Sequence, residues 1–232
     1  MARPDWVASY IGSQPSLGPQ VICDGNSITA GNGASDAAHY YPAQLATLLG
    51  GSWTVPNVGL GAASTGGRVI AAPTSLLGNL NLKRSKNLCV LWEATNDIYY
   101  WILNTNPPSG AKATSLADVK ANTQAWCALA RSYDLSIAVG TIFSRSNAGM
   151  TAQNITDFRT QRGLYNTWLR ANYASFADAV IDFAAIPGMG ADGDEASSYF
   201  CGDLVHPSDS GYALIASAAY SVVSAMTWSA VA

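Results

Sequence analysis

Charge is scarce in this sequence. Of its 232 residues only 12% are Asp, Glu, Lys or Arg, about half the ~25% of ordinary globular chains. Its surface must therefore be built largely from Ser, Thr, Asn and Gly. The balance is slightly acidic, −3 with a pI near 5.2, and the one basic cluster is Lys83-Arg84-Ser85-Lys86. Phosphate binding needs clustered Lys and Arg, so nucleic acid is excluded as a partner and the cluster reads as a solvated loop. No apolar run approaches the ~18 residues of a membrane helix. Met1-Ala2-Arg3-Pro4-Asp5-Trp6 lacks a charged segment followed by an apolar one, so no signal peptide is visible. The cytoplasm is the default expectation, and secretion if a signal has been trimmed; the low charge would suit work outside cells.

Metal-ligating residues are equally sparse. The four cysteines (Cys23, Cys89, Cys127, Cys201) lie far apart, without C-x-x-C spacing, and there are two histidines, His39 and His206. Cys23 and Cys89 fall in apolar strand candidates and Cys127 on a helix, as small buried hydrophobes do. Neither a disulfide framework nor a zinc site is favoured. Asp192-Gly193-Asp194-Glu195 lacks the full calcium-loop spacing and reads as a solvated acidic loop. No metal or cofactor is expected.

What the chain does contain is an alternation. Its length suits one core and is short for two domains, so residues 1–232 are read as a single domain with an irregular segment at 1–19. Five apolar runs of strand length start near Gln20, Trp53, Asn87, Leu135 and Ala179; Pro56 marks the second as an edge. Helical patterns fall between them, near 41–49, 68–77, from Ser115, 151–173 and from Ser208. Ser115-Leu116-Ala117-Asp118 resembles a capping box. Strands alternating with helices favour a parallel α/β sheet with right-handed crossovers.

Each strand end carries something chemical. Transferring an acyl group from an ester needs an activated hydroxyl, a base for its proton, and donors for the oxyanion. Ser27 follows the first strand, in Asp24-Gly25-Asn26-Ser27-Ile28-Thr29. Ala62 and its glycine neighbours follow the second, and Asn96, with an amide that can donate, follows the third. Asp203 and His206 lie three residues apart in the loop after the last strand. One turn can then carry both towards a common cleft, the carboxylate accepting from one imidazole nitrogen and the other nitrogen facing Ser27. His39 has Asp36 three residues before it but no strand end nearby, so it reads as a surface residue.

These four stretches resemble the four sequence blocks of the SGNH/GDSL hydrolase superfamily. Gly25-Asn26-Ser27-Ile28-Thr29 is similar to G-D-S-x-T, and Asn57-Val58-Gly59-Leu60-Gly61-Ala62 to N-x-G-x-x-G. Ala94-Thr95-Asn96-Asp97 is similar to G-x-N-D, and Asp203 to Pro207 to D-x-x-H-P. The resemblance implies a three-layer α/β/α sandwich, flavodoxin-like, with a five-stranded parallel sheet, and hydrolysis of esters without metal or cofactor. It implies Ser27 as nucleophile, His206 as base and then acid, and Asp203 as its orienting partner. The Ser27 N–H, the Ala62 N–H and the Asn96 side chain would line the oxyanion hole. The chain departs from the blocks at Asn26, Ala62 and Ala94. Ala62 serves if its φ is negative; if the position needs positive φ, Gly61 is the better donor.

The expected activity is hydrolysis of short-acyl or acetyl esters, possibly on carbohydrate. Rivals are a thioesterase or lysophospholipase-like hydrolase and a silent carbohydrate-binding module on the same fold. The first helix, starting behind Ser27, would add its positive end to the site. Tyr99, Tyr100 and Trp101 are candidate substrate-pocket walls, and Glu93 is expected to have a structural partner such as a loop arginine. Asp97 reads as a loop organiser. A second serine, Ser64 in Ala62-Ala63-Ser64-Thr65-Gly66, fits a relaxed nucleophile elbow but reads better as a loop serine.

Overall fold

The computed structural model describes residues 17–81 and 84–226. The basic cluster's Lys83 and nearly all of the irregular N-terminal segment therefore lie outside the described residues. Four parallel strands form the sheet: β1 Gln20–Gly25, β2 Asn87–Trp92, β3 Ser136–Gly140 and β4 Ala179–Ile181, in the order β1-β2-β3-β4. β1 and β2 are buried along their whole length, as parallel strands covered on both faces must be.

The expected fifth strand is reduced to two isolated parallel bridges on the free edge of β1, Gln20 with Thr54 and Cys23 with Asn57. The cause is Pro56. Val21 N–H donates to Thr54 O, Cys23 N–H to Pro56 O and Val58 N–H to Cys23 O, all at 2.9 Å. Proline has no N–H for the rung between them. The sheet proper thus has four strands rather than five, with the 53–58 segment lying where a flavodoxin-like order 2-1-3-4-5 puts its second strand.

Seven α-helices accompany the sheet among the described residues: α1 Ser27–Ala30, α2 Tyr41–Leu49, α3 Thr65–Ser75, α4 Thr95–Ile102, α5 Leu116–Ser132, α6 Ala152–Asn172 and α7 Asp209–Ala225. Side chains of successive strand residues point to opposite faces. Asp24 meets Arg68 and Ser75 of α3, whereas its neighbour Cys23 meets Tyr41 of α2. So α2 and α3 cover opposite faces; α7 packs on α2 and α5 on α3, giving three layers.

Local signals account for the helix boundaries. Ser115 accepts from the Asp118 N–H at 3.2 Å to cap α5. The reciprocal half of the expected box is absent, because the Asp118 carboxylate is taken by the Thr114 N–H and hydroxyl at 2.7 and 2.8 Å. Thr151 and Asn154 do form a capping box at the start of α6. Val119, Thr123, Trp126, Cys127 and Ala130 are the buried stripe of α5, as its periodicity indicates. All four cysteines are free thiols, Cys23, Cys89 and Cys127 buried and Cys201 half-buried. The acidic loop is not simply solvated. Arg159 of α6 donates to Glu195 at 2.6 Å and Arg162 to Asp192 at 2.7 Å, with Glu195 itself 1% exposed.

A buried ion pair joins the sheet to α3: the Arg68 guanidinium donates to Asp24 and, at 2.9 Å, to Val58 O. Burial pushes Asp24 up to about 6, against the opposing pull of Arg68. Removing one partner of such a pair typically costs ~3–5 kcal/mol. Arg68→Met is expected to destabilise by about that amount in urea unfolding at pH 8, and by less at pH 5. The sign follows because a carboxyl raised in the folded state stabilises at low pH and loses that contribution as pH rises. Equal losses at both pH values would show that Asp24 is not the group left stranded.

Candidate active site

The carboxyl ends of the strands converge on one cleft, the place where open parallel sheets bind ligands. Gly25 ends β1 and Asn26 follows in extended conformation, its Oδ1 accepting from the Ile28 N–H at 2.8 Å. That bond caps α1, so Ser27 stands at the first helical position. The helix lasts four residues before Gly31 adopts φ +96°. The anticipated helix dipole is therefore only one turn strong. Of the helix's first-turn N–H groups, that of Ile28 is taken by Asn26, and Ser27 is the residue of this helix that lines the cleft.

Ser27 Oγ lies 2.8 Å from His206 Nε2 across 179 residues of sequence. His206 Nδ1 lies 2.6 Å from Asp203 Oδ2, and Asp203 Oδ1 accepts from the N–H groups of Val205 and His206 at 3.0 Å each. Burial would raise the Asp203 carboxyl, but these bonds and the imidazole hold it below the usual carboxylate range. An ionised Asp203 can only accept, so Nδ1 carries the hydrogen and donates to it, which leaves Nε2 as acceptor for the Ser27 hydroxyl. The loop carrying the pair is tightly turned, with Cys201 N–H bonded to His206 O at 2.7 Å and Leu204 at φ +60°.

Three further contacts fix that loop and the helix after it against Ser27's own segment. A Cβ added at Gly33 (φ +94°) would stand 2.9 Å from His206 Cβ and 2.7 Å from Pro207 O. Tyr212 Oη donates to Asn32 O at 2.7 Å, and Asp209 accepts from the Ser35 N–H and hydroxyl at 2.8 and 2.7 Å.

The cleft has a volume of about 650 Å³; its lining includes Ser27, Ala62, Asn96, Tyr99, Tyr100 and His206. Ala62 has φ +59°, the circumstance expected to favour Gly61. Yet Ala62 lines the cleft and Gly61 does not. The peptide is held by Tyr100 Oη donating to Ala62 O at 3.3 Å and by Ala63 N–H bonding Leu60 O at 3.2 Å. The alanine therefore bears the left-handed strain, ~1–2 kcal/mol. Tyr99 and Tyr100 are walls of the cleft; Trp101, on the same helix, is not. Ser64 is 2% exposed and caps α3 by accepting from the Gly67 N–H. His39 lies in a separate exposed cluster, its Nδ1 2.9 Å from Asp36 and 3.1 Å from the Ser35 hydroxyl. Among the described residues no group of three or more His, Cys, Asp or Glu could hold a metal ion, and no helix is long and apolar enough to cross a membrane.

The sequence profile of the GDSL-like lipase/acylhydrolase family matches residues 23–214, which spans every strand end just described. The chain belongs to that family. No curated protein matches it. Among solved structures it is similar to a lipolytic protein of the G-D-S-L family from Veillonella parvula (20% identity, TM-score 0.63, covering 89% of this chain and 99% of that one). A putative lipolytic G-D-S-L protein from Desulfitobacterium hafniense is also similar (17% identity, TM-score 0.62, covering 87% and 98%). So is the acetyl xylan esterase AlAXEase (15% identity, TM-score 0.58, covering 87% and 98%). At these identities the likeness is one of fold.

Two features of this GDSL-family site escaped the sequence reading. The first is Arg145, 6% exposed and lining the cleft; it sits in Ser144-Arg145-Ser146-Asn147, whose composition reads as surface loop. The second is the surroundings of Glu93. Its expected arginine is replaced by an amide, Asn26 Nδ2 donating to Glu93 Oε2 at 2.9 Å. Glu93 Oε1 is buried without a partner. Burial first, and the Asp97 charge second, push Glu93 well above the usual carboxylate range. Asp97 does organise its loop: its Oδ2 accepts from the Thr65 N–H and hydroxyl at 2.8 Å each, joining α4 to α3. Asn26, where the family block carries Asp, thus donates to a carboxyl group that burial raises well above its usual range.

A glutamic acid raised in the native state binds its proton there and releases it on unfolding once pH exceeds ~4.3. Its contribution is complete at low pH and is lost as pH climbs towards the folded value. Glu93→Gln, which keeps the acceptor for Asn26, is expected to flatten this fall by up to about one proton, or ~1.4 kcal/mol per pH unit. Urea unfolding at pH 5 and 8 measures it. A variant as pH-dependent as the native chain would mean that Glu93 folds ionised.

Proposed function

We propose that this GDSL-family hydrolase is a serine esterase that cleaves short-acyl or acetyl esters, on small alcohols or on carbohydrate, through an acyl-enzyme. The carrying observation is the hydrogen-bonded chain Ser27 Oγ, His206 Nε2, His206 Nδ1, Asp203 Oδ2 at 2.8 and 2.6 Å. In this reading Ser27 Oγ adds to the acyl carbon as its proton passes to His206 Nε2. The negative charge on the carbonyl oxygen is met by the Ser27 N–H, the Ala62 N–H and the Asn96 amide. Collapse expels the alcohol, which takes the proton from His206. Water, deprotonated by the same imidazole, attacks the acyl-enzyme, and release of the acid returns Ser27 its proton. Asp203 keeps His206 in the required tautomer and stabilises its charged form.

The small-ester preference is supported by the cleft lining. Asn32, Asn96, Arg145, Ser146 and Asn147 line it together with Tyr99 and Tyr100, a set of polar groups and rings suited to hydroxylated substrates. The fold it shares with an acetyl xylan esterase is in keeping with the same choice.

Fluorophosphonate labelling is expected to place one adduct on Ser27 and none on Ser64. On p-nitrophenyl esters, Ser27→Ala and His206→Ala are expected to lower kcat by ~10⁴-fold or more, and Asp203→Asn by ~10³–10⁴-fold. Chain-length profiling should peak at two to four carbons. A peak at long chains would reverse the substrate assignment, and a native chain that takes no label would reduce the fold to a binding module.

A further inference from the structure

We infer that Arg145 is the positioning residue of the oxyanion hole, acting through Asn96; this rests on the assignment of Ser27 and Asn96 above. Asn96 has one acceptor and two donors on its amide. Its Oδ1 accepts from Arg145 Nη1 at 3.1 Å, and its Nδ2 donates to Ala63 O at 2.7 Å. One N–H is left, and Asn96 lines the cleft beside Ser27. Turning the amide over would aim its oxygen at the Ala63 carbonyl and its NH₂ at a guanidinium, two repulsions at once. Arg145 and Ala63 therefore select the single orientation that presents an N–H to the substrate.

Arg145 is itself held rigidly. Its Nε donates to Asn147 Oδ1 at 3.0 Å and its guanidinium carbon sits 4.0 Å from the centroid of the Tyr99 ring. Among the described residues no carboxylate pairs with it within ion-pair distance. A guanidinium buried without a carboxylate is costly; Arg68, Arg131, Arg159, Arg162 and Arg170 each take one, whereas Arg84 donates to the Gly18 carbonyl. The positive charge of Arg145 is instead spent on an amide oxygen. Withdrawing electron density from Oδ1 makes the amide N–H a stronger donor, the cooperative effect of hydrogen bonds in series. The gain is realised when an oxyanion forms opposite it, so it appears in the transition state more than in substrate binding.

The test is a double-mutant cycle on p-nitrophenyl acetate with the full chain, using Ser27→Ala as the blank. Arg145→Met is expected to lower kcat ~10–100-fold with KM changed less than about threefold, since losing a whole oxyanion donor costs ~10²–10³. In an Asn96→Ala background the same substitution should lower kcat less than about threefold. Arg145→Lys, which keeps the charge but not the planar fork, should lose less than Met and be equally silent without Asn96. It decides the matter if Arg145→Met does not fold. Millimolar guanidinium should restore part of the activity of Arg145→Ala and none to Arg145→Ala combined with Asn96→Ala. Losses that multiply fully across both backgrounds, or an unchanged kcat in the single variants, would overturn the inference. Turnover in Ser27→Ala equal to the native chain would remove the assignment beneath it and the inference too.

Discussion

A single hydrogen bond, from the Ser27 hydroxyl to His206 Nε2, is the contact that the rest of the molecule makes possible. Its two residues come from opposite ends of the chain, and nothing local brings them together. Parallel strands do so, because they must all end on the same edge of the sheet, and right-handed crossovers return the chain to that edge each time. The geometry is then set by small elements hung on those ends: a one-turn helix at Ser27, a longer one at Asn96, and a knotted loop at His206.

Those ends are also where the backbone is least comfortable. Ala62, Ala94 and Leu204 all have positive φ, at 59°, 80° and 60°, and each belongs to a different segment of the site. Residues with a Cβ avoid this region, and it persists only where surrounding contacts over-determine it. Ala94 opens α4 from a fully buried position, so the methyl group that replaces the family's glycine is packed as well as strained. Asp24, Glu93 and Asp97 are all buried as well, and Arg68 acts on the first two. Arg68 pairs with Asp24, while burial and the neighbouring carboxylates push Glu93 well above the usual carboxylate range.

The architecture was legible in the sequence because apolar runs of strand length alternated with amphipathic helices, and the serine, amide and Asp/His pair each followed one of those runs. Two kinds of feature were not. Thr95–Ile102 is a helix, but Ile98-Tyr99-Tyr100-Trp101-Ile102 is apolar in an unbroken row, and a row without period carries no helical signature. Residues 53–58 read as a strand by composition, yet one proline interrupts the ladder. The partners of Arg145 and Glu93 were not legible for a common reason: both, Asn96 and Asn26, are neutral amides. Sequence reasoning pairs charge with opposite charge, whereas here a cation and a carboxyl each settle on a side-chain amide that only the fold brings near.

The bonds from Asn32 and Ser35 to Tyr212 and Asp209 have an evolutionary corollary. They clamp the start of α7, just after the His206 loop, to the residues behind Ser27, so that hydrogen-bonded pair is registered by its own short bracket rather than by the cleft's outer rim. The parts of the rim that carry none of the Asn96–Arg145 network, Ser146 and Ala148, can then be recomposed without disturbing that bracket. Such separation lets one chemical engine be refitted for new esters by drift in loops alone.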